Sequence, residues 1–180
     1  MSRLFLLPLL ALLAVAAPAR ALEPIPPPRG VNGAVLGTAE AYRMPGPMRV
    51  CFIDTGLALR ADETAWLDYV GIHAASIRVA GPHGQYLVRE GNSWAVPPGP
   101  GPSVPDARGR RIVRYRTAGQ FRYLIYGPVT DAGPGDRPSV WVEGAALNGA
   151  ARDRDILNRI APVAGNARCR RRLVYGMFFD

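Results

Sequence analysis

Guanidinium groups are the most abundant chemical resource of this chain. All 22 basic residues are arginine, set against 14 acidic ones, for a formal net charge of +8. Six arginines fall between Arg108 and Arg122, and four more between Arg168 and Arg172. A guanidinium grips a carboxylate, sulfate or phosphate through two parallel hydrogen bonds, so this density points to an anionic partner. Which arginines act together depends on strand register. With Ala118-Gly119-Gln120 as a three-residue loop, Arg110 to Tyr126 reads as a hairpin. Thr117 then opposes Phe121, Tyr115 opposes Tyr123, and Val113 opposes Ile125. That register collects the β-branched and aromatic residues on one face and leaves Arg114, Arg116 and Arg122 together on the other. A two-residue loop would mix arginines with aromatics on both faces. A last strand, Arg168 to Phe178, pairing nearby would add Arg170 and Arg172 to the same surface. The competing account is a solvated sheet face whose charges discourage edge-to-edge aggregation.

Carboxylate chemistry is offered at one place. The apolar run Met48 to Ile53 leads straight into Asp54-Thr55-Gly56, which resembles the active-site loop of retropepsin-like aspartic proteases. The resemblance covers Phe52 to Leu57, with Leu57 where that family usually has Ala, Ser or Thr. It implies paired carboxylates sharing a proton to activate water, and one copy per chain implies a homodimer using Asp54. A serine nucleophile is less well served. Gly91-Asn92-Ser93-Trp94-Ala95 lies one residue from the Gly-x-Ser-x-Gly elbow, which needs a helix after the serine, and prolines follow here. The two histidines both lie upstream. His83 reads as an exposed hairpin tip, and His73 as a core-edge residue sharing the face of Ile77 and Val79. Asp131 and Asp136 lack calcium-loop spacing and read as a polar turn. No phosphate-binding glycine loop, zinc spacing or nucleic-acid-binding motif appears, so no cofactor, metal or nucleic acid is expected.

The environment of these groups is read from the N-terminus. Arg3, the apolar run Leu4 to Ala17 and Ala19-Arg20-Ala21 form the three parts of a cleaved Sec-type signal peptide. The apolar run, broken by Pro8, is shorter than the roughly 20 residues that span a bilayer, and no later run approaches that length. Cleavage after Ala21 leaves 159 residues, one domain's worth. It also leaves 20 arginines against 14 acids, a net of +6. The arginine bias reads first as the codon usage of a GC-rich bacterium, which places the protein in the periplasm or secreted into the medium. There, two cysteines in an otherwise cysteine-free chain read as a disulfide, Cys51 to Cys169, stapling the first core strand to the last.

The elements that must position these groups are mostly strands. Residues 22–47, rich in Pro and Gly, read as a loosely held arm with a short strand at Ala34 to Leu36. The domain proper, 48–180, begins with the strand Met48 to Asp54. Ala61 to Val70 suits either a short helix or a strand. In the hairpin Ile72 to Glu90, around Gly81-Pro82-His83-Gly84, Val79 faces Tyr86 and Ile77 faces Val88. Ser139 to Glu143 is a strand, and 150–161 a helix with stripe Ile156, Leu157, Ile160, capped by Asn148 and stopped by Pro162. The expected fold is mainly β: an antiparallel β-sandwich or small α+β sheet with one late helix and one disulfide. The expected function is non-enzymatic. An exported domain binds an acidic polysaccharide, lipopolysaccharide or an acidic protein through Arg114, Arg116, Arg122, Arg170 and Arg172; a homodimeric aspartic hydrolase is the alternative.

Overall fold

The computed structural model describes residues 23–91, 103–104, 106, 110–117, 120–126, 140–147, 149–163 and 169–173. In chain order these form β1 (Arg43–Pro45), β2 (Met48–Cys51), β3 (Thr55–Leu59), β4 (Thr64–Val70), β5 (Ala74–Gly81), β6 (Gly84–Gly91), β7 (Ser103–Val104), β8 (Arg111–Thr117), β9 (Gln120–Tyr126), β10 (Val140–Glu143), α1 (Ala150–Arg159), β11 (Ile160–Pro162) and β12 (Arg171–Arg172). The fold is mainly β, with two sheets, one α-helix and the Cys51–Cys169 disulfide. The large sheet runs β1-β4-β5-β6-β10-β9-β8-β7 and is antiparallel throughout. The small sheet runs β11-β3-β2-β12, with β2 and β12 parallel.

Register explains the core. Ile77, Val88, Val142 and Tyr123 lie opposite one another across four strands, and Val140 sits between Ile125 and Glu90. Side chains alternate between faces along a strand, so this register places one apolar row on the large sheet's inner face. Val50, Leu57 and Ile160 form the matching row of the small sheet, and the two rows merge into one buried cluster with Phe52, Leu59 and Leu173. The first hairpin has the register expected from its sequence, and it closes on Pro82–His83 between paired Gly81 and Gly84. Ala61 to Val70 resolves as strand β4.

Three local expectations fail. The second hairpin pairs Thr117 with Gln120, so Arg116 opposes Phe121, Arg114 opposes Tyr123, and Tyr115 opposes Arg122. A three-residue loop would suit a hairpin with one polar face. Both faces are apolar in part: Val113, Leu124, Tyr126 and Trp141 make a second buried cluster on the outer face. Arginines tolerate the mixture because a guanidinium lies favourably over an aromatic ring. Arg111 sits 4.1 Å from the Tyr126 ring centroid, Arg114 5.0 Å from Phe121 and Arg122 5.9 Å from Trp141. His73 is exposed in the turn between β4 and β5 rather than at the core edge.

The N-terminal arm, third, is docked. Arg29 N donates to Asp68 O (2.9 Å), Val70 N to Arg29 O (3.0 Å), and Gln85 Nε2 to Glu23 O (2.7 Å). With β1 it covers the β4 edge, which would otherwise present unpaired backbone groups. At Ala34 to Leu36 there is only an isolated bridge, Val35 to Arg29.

Helix α1 ends at Arg159, two residues earlier than expected, because Ile160 to Pro162 join the small sheet. Its N-cap is Gly149, whose N–H reaches the Asp153 carboxylate at 3.4 Å; Asn148 lies outside the described residues. No helix among the described residues is long and apolar enough to cross a membrane.

Candidate functional site

The arginines named from the sequence do not share a face. Arg122 lies on the outer face of the large sheet beside β10, where its Nε is 2.5 Å from Glu143 Oε2. Arg89 approaches the other oxygen at 3.2 Å, so Glu143 is bracketed by two guanidiniums and Arg122 is already neutralised. Arg114 and Arg116 point to the inner face, at 5.0 and 5.8 Å from the centroid of the Phe121 ring. The single basic surface expected from the second hairpin and the last strand is therefore divided. The cause is the one-residue register difference, which flips Arg114 and Arg116 relative to Arg122, together with pairing of β12 to β2 rather than to that hairpin.

A different arginine grouping appears at the small sheet. Parallel pairing sets Arg171 beside Val50 and Arg172 beside Cys51, so Arg170 lies beside Arg49, and Arg170 N donates to Arg49 O at 3.1 Å. By strand alternation, Arg49, Arg170 and Arg172 share the outer face with Cys51, while Val50 turns into the core. The neighbours on that face are small: Ala58 opposes Arg49, and Gly56 opposes Cys51 and Ala161. Among the described residues no ion pair joins Arg49, Arg170 or Arg172 to an acid, and Arg170 and Arg172 are exposed. Neighbouring strands lie about 4.8 Å apart, and alternate residues along a strand about 6.6 Å apart. That spacing lets adjacent guanidiniums hold one anion or successive anions of a polymer. Arg49 carried no sequence signal of its own; only the pairing of β12 brings it to this face.

The Asp-Thr-Gly turn is braced through its backbone and the Thr55 hydroxyl. Glu90, on the inner face of β6 and 3% exposed, accepts from Asp54 N (2.7 Å), Thr55 N (2.8 Å) and the Thr55 hydroxyl, clasping one sheet to the other. Asp54 itself is exposed. Gly56 lies tightly under its neighbours. A Cβ there would meet Cys51 Sγ at 3.3 Å and Val163 Cγ2 at 3.2 Å. A side chain at this position would crowd the disulfide sulfur and Val163 by a few tenths of an ångström.

Burial pushes the Glu90 carboxyl up to about 7, against the pull of its three hydrogen bonds, and the Asp54 charge adds to the rise. The raised value has a definite sign. The protonated acid is favoured in the folded chain, so its stabilising contribution is complete below about pH 4.5 and is lost as pH rises through about 7. The loss is on the order of 3 kcal/mol by the usual conversion. Glu90→Gln, which imitates the protonated acid, is expected to flatten this part of the curve of unfolding free energy against pH. Parallel wild-type and variant curves between pH 4.5 and 7 would refute the assignment.

Three buried polar groups escaped the sequence reading. Arg110, 4% exposed, pairs with Asp106 (Nε to Oδ2, 2.6 Å) and donates to Ile160 O (2.8 Å) and Leu157 O (3.2 Å). It thereby gives the Leu157 carbonyl a second donor beside Ile160 N and ties the end of α1 to the start of β11. Arg159 donates to Glu63 through both terminal nitrogens (2.6 and 2.9 Å) and to Ala58 O (2.8 Å), while the Tyr86 hydroxyl donates to Glu63 (3.0 Å). Burial and the Glu63 charge raise the Tyr86 phenol well above its ordinary value. Asp153, 1% exposed, accepts the Tyr123 hydroxyl. The shallow cleft beside this network, between the Pro82–His83 turn and α1, is lined by charges of both signs. Its guanidiniums include Arg159 and Arg60, both engaged by acids, Arg60 with Asp155 at 2.5 Å. Ser93, Asp131 and Asp136 lie outside the described residues.

Comparison with protein-family models, with curated proteins and with solved structures finds no match to this chain.

Proposed function

We propose that this chain is an exported β-sandwich domain that binds an anionic component of the cell envelope, an acidic polysaccharide or lipopolysaccharide, through the outer face of its small sheet. The observation that carries the reading is the convergence of Arg49, Arg170 and Arg172 on one face without acidic partners among the described residues. Like charges held together on one rigid face lower their mutual repulsion by recruiting an anion, and flat guanidinium forks suit phosphate, sulfate and carboxylate alike. The small residues beside them leave the face shallow, which favours an extended polyanion over a small enclosed ligand. The disulfide supports an oxidising compartment, in keeping with the signal-like N-terminus.

Arg114 and Arg116 form a separate and lesser basic position beside Phe121, and Arg122 is expected to contribute little because Glu143 neutralises it. Retention on immobilised heparin tests the assignment. Arg170→Gln with Arg172→Gln is expected to move elution to distinctly lower salt, while Arg122→Gln leaves it unchanged. Equal elution of the double variant and the wild type would overturn the proposal.

A further inference from the structure

The Cys51–Cys169 bridge and the arginines occupy the same surface, and their arrangement has a chemical consequence. Cys51 is fully buried, with its sulfur over Gly56 beside Val163, whereas Cys169 is only partly buried on the edge strand's approach. Arg170 follows Cys169 directly, and Arg172 and Arg49 flank Cys51 on the same sheet face. β12 is held by two paired residues, the Arg170 N to Arg49 O and Leu173 N to Cys51 O hydrogen bonds, the buried Leu173 side chain and the bridge itself. A parallel edge strand this short has little backbone pairing of its own to hold it.

We infer that Cys169 is a site of mixed-disulfide formation with anionic thiols, drawn to it by the surrounding arginines, and that the exchange releases β12 and so disperses the arginine face. In the step, a thiolate attacks Cys169 Sγ. The new bond joins its sulfur to Cys169, the Cys51–Cys169 bond breaks, and Cys51 leaves as a thiolate that takes a proton from solvent. One disulfide is exchanged for another, with no net oxidant or reductant. Attack is directed to Cys169 because Cys51 is covered. Positive charge around the bridge raises the local concentration of anionic reagents and lowers that of cationic ones. The effect on polyanion binding rests on the function proposed above; the exchange itself does not.

The test uses the full oxidised protein with 2-mercaptoethanesulfonate, which is anionic, and 2-mercaptoethanol, which is neutral, at pH 8 and low ionic strength. Adducts are located by peptide mass spectrometry. The sulfonate thiol is expected to react faster relative to the neutral thiol, by about tenfold at low salt. That advantage should disappear at high salt, where exposed charges are screened, and in Arg170→Gln with Arg172→Gln. The salt comparison is made on wild-type protein and stands even if the variant misfolds. An advantage insensitive to salt, or an adduct on Cys51, would overturn the inference. The adduct-bearing protein should keep its near-ultraviolet circular dichroism and lose heparin retention. Global unfolding, or unchanged retention, would refute the release of β12. A wild-type protein that never binds heparin would sink the proposed function while leaving the thiol result intact.

Discussion

Arg110→Ala is expected to destabilise the protein by about 3–5 kcal/mol, the range measured when one partner of a buried ion pair is removed. The Arg110 and Asp106 side chains are 1% and 2% exposed. Truncation leaves the Asp106 carboxylate buried without its cation and strips the Leu157 and Ile160 carbonyls of a donor. The buried carboxylate deprived of its cation carries the main desolvation cost, and the lost donations to the two carbonyls weaken the junction of α1 with β11. The measurement is the midpoint of urea unfolding at neutral pH, with Arg110→Lys as a companion. Lysine restores the charge but cannot supply the guanidinium fork that reaches Asp106 and two carbonyls together, so it should recover only part of the loss. A midpoint within experimental error of the wild type would show that the pair contributes nothing net.

The second large effect belongs to the bridge. Cys51→Ala with Cys169→Ala removes a cross-link spanning 118 residues. The chain-entropy account gives such a loop about 5 kcal/mol, and removal of native bridges typically costs about 2–5 kcal/mol. Loss of a comparable amount in denaturant unfolding is expected, and it should match the difference between oxidised and fully reduced wild type. A smaller change would mean that the unfolded chain is already compact around these residues. Because Leu173 is fully buried next to the bridge, the variant should also expose the small-sheet edge, read as faster proteolysis near Arg170 to Arg172.

What could be read from the sequence, and what could not, follows from range. The first hairpin's register was legible because its alternation is strict and its turn is local: Ile77, Val79, Tyr86 and Val88 allow one buried face. The disulfide was legible because two cysteines leave one pairing. The second hairpin was misread because alternation assumes one wet face, and here both faces carry apolar clusters. The site suffered most. Whether Arg170 and Arg172 join Arg114 or Arg49 depends on which strand β12 chooses, and no local pattern encodes a parallel partner more than 100 residues away. Arg110, Glu63, Glu90 and Asp153 were invisible for a related reason. Charged residues are ordinarily surface residues, and only tertiary partners reveal the buried exceptions. Asp54-Thr55-Gly56 shows the converse. Its three positions match a catalytic pattern, and they also have a structural use that no local pattern announces: Glu90 takes the Asp54 and Thr55 amides and the disulfide sulfur lies above Gly56, while the Asp54 side chain is exposed.

The pairing of β2 with β12 also sets a schedule. A chain that emerges from its N-terminus delivers β2 early and must wait for more than 100 further residues before β12 can lie beside it. Contacts of such sequence separation form late, after the entropy of closing a long loop has been met. The free edge of β2 therefore stays open until β12 has been made, and the small sheet becomes whole only then.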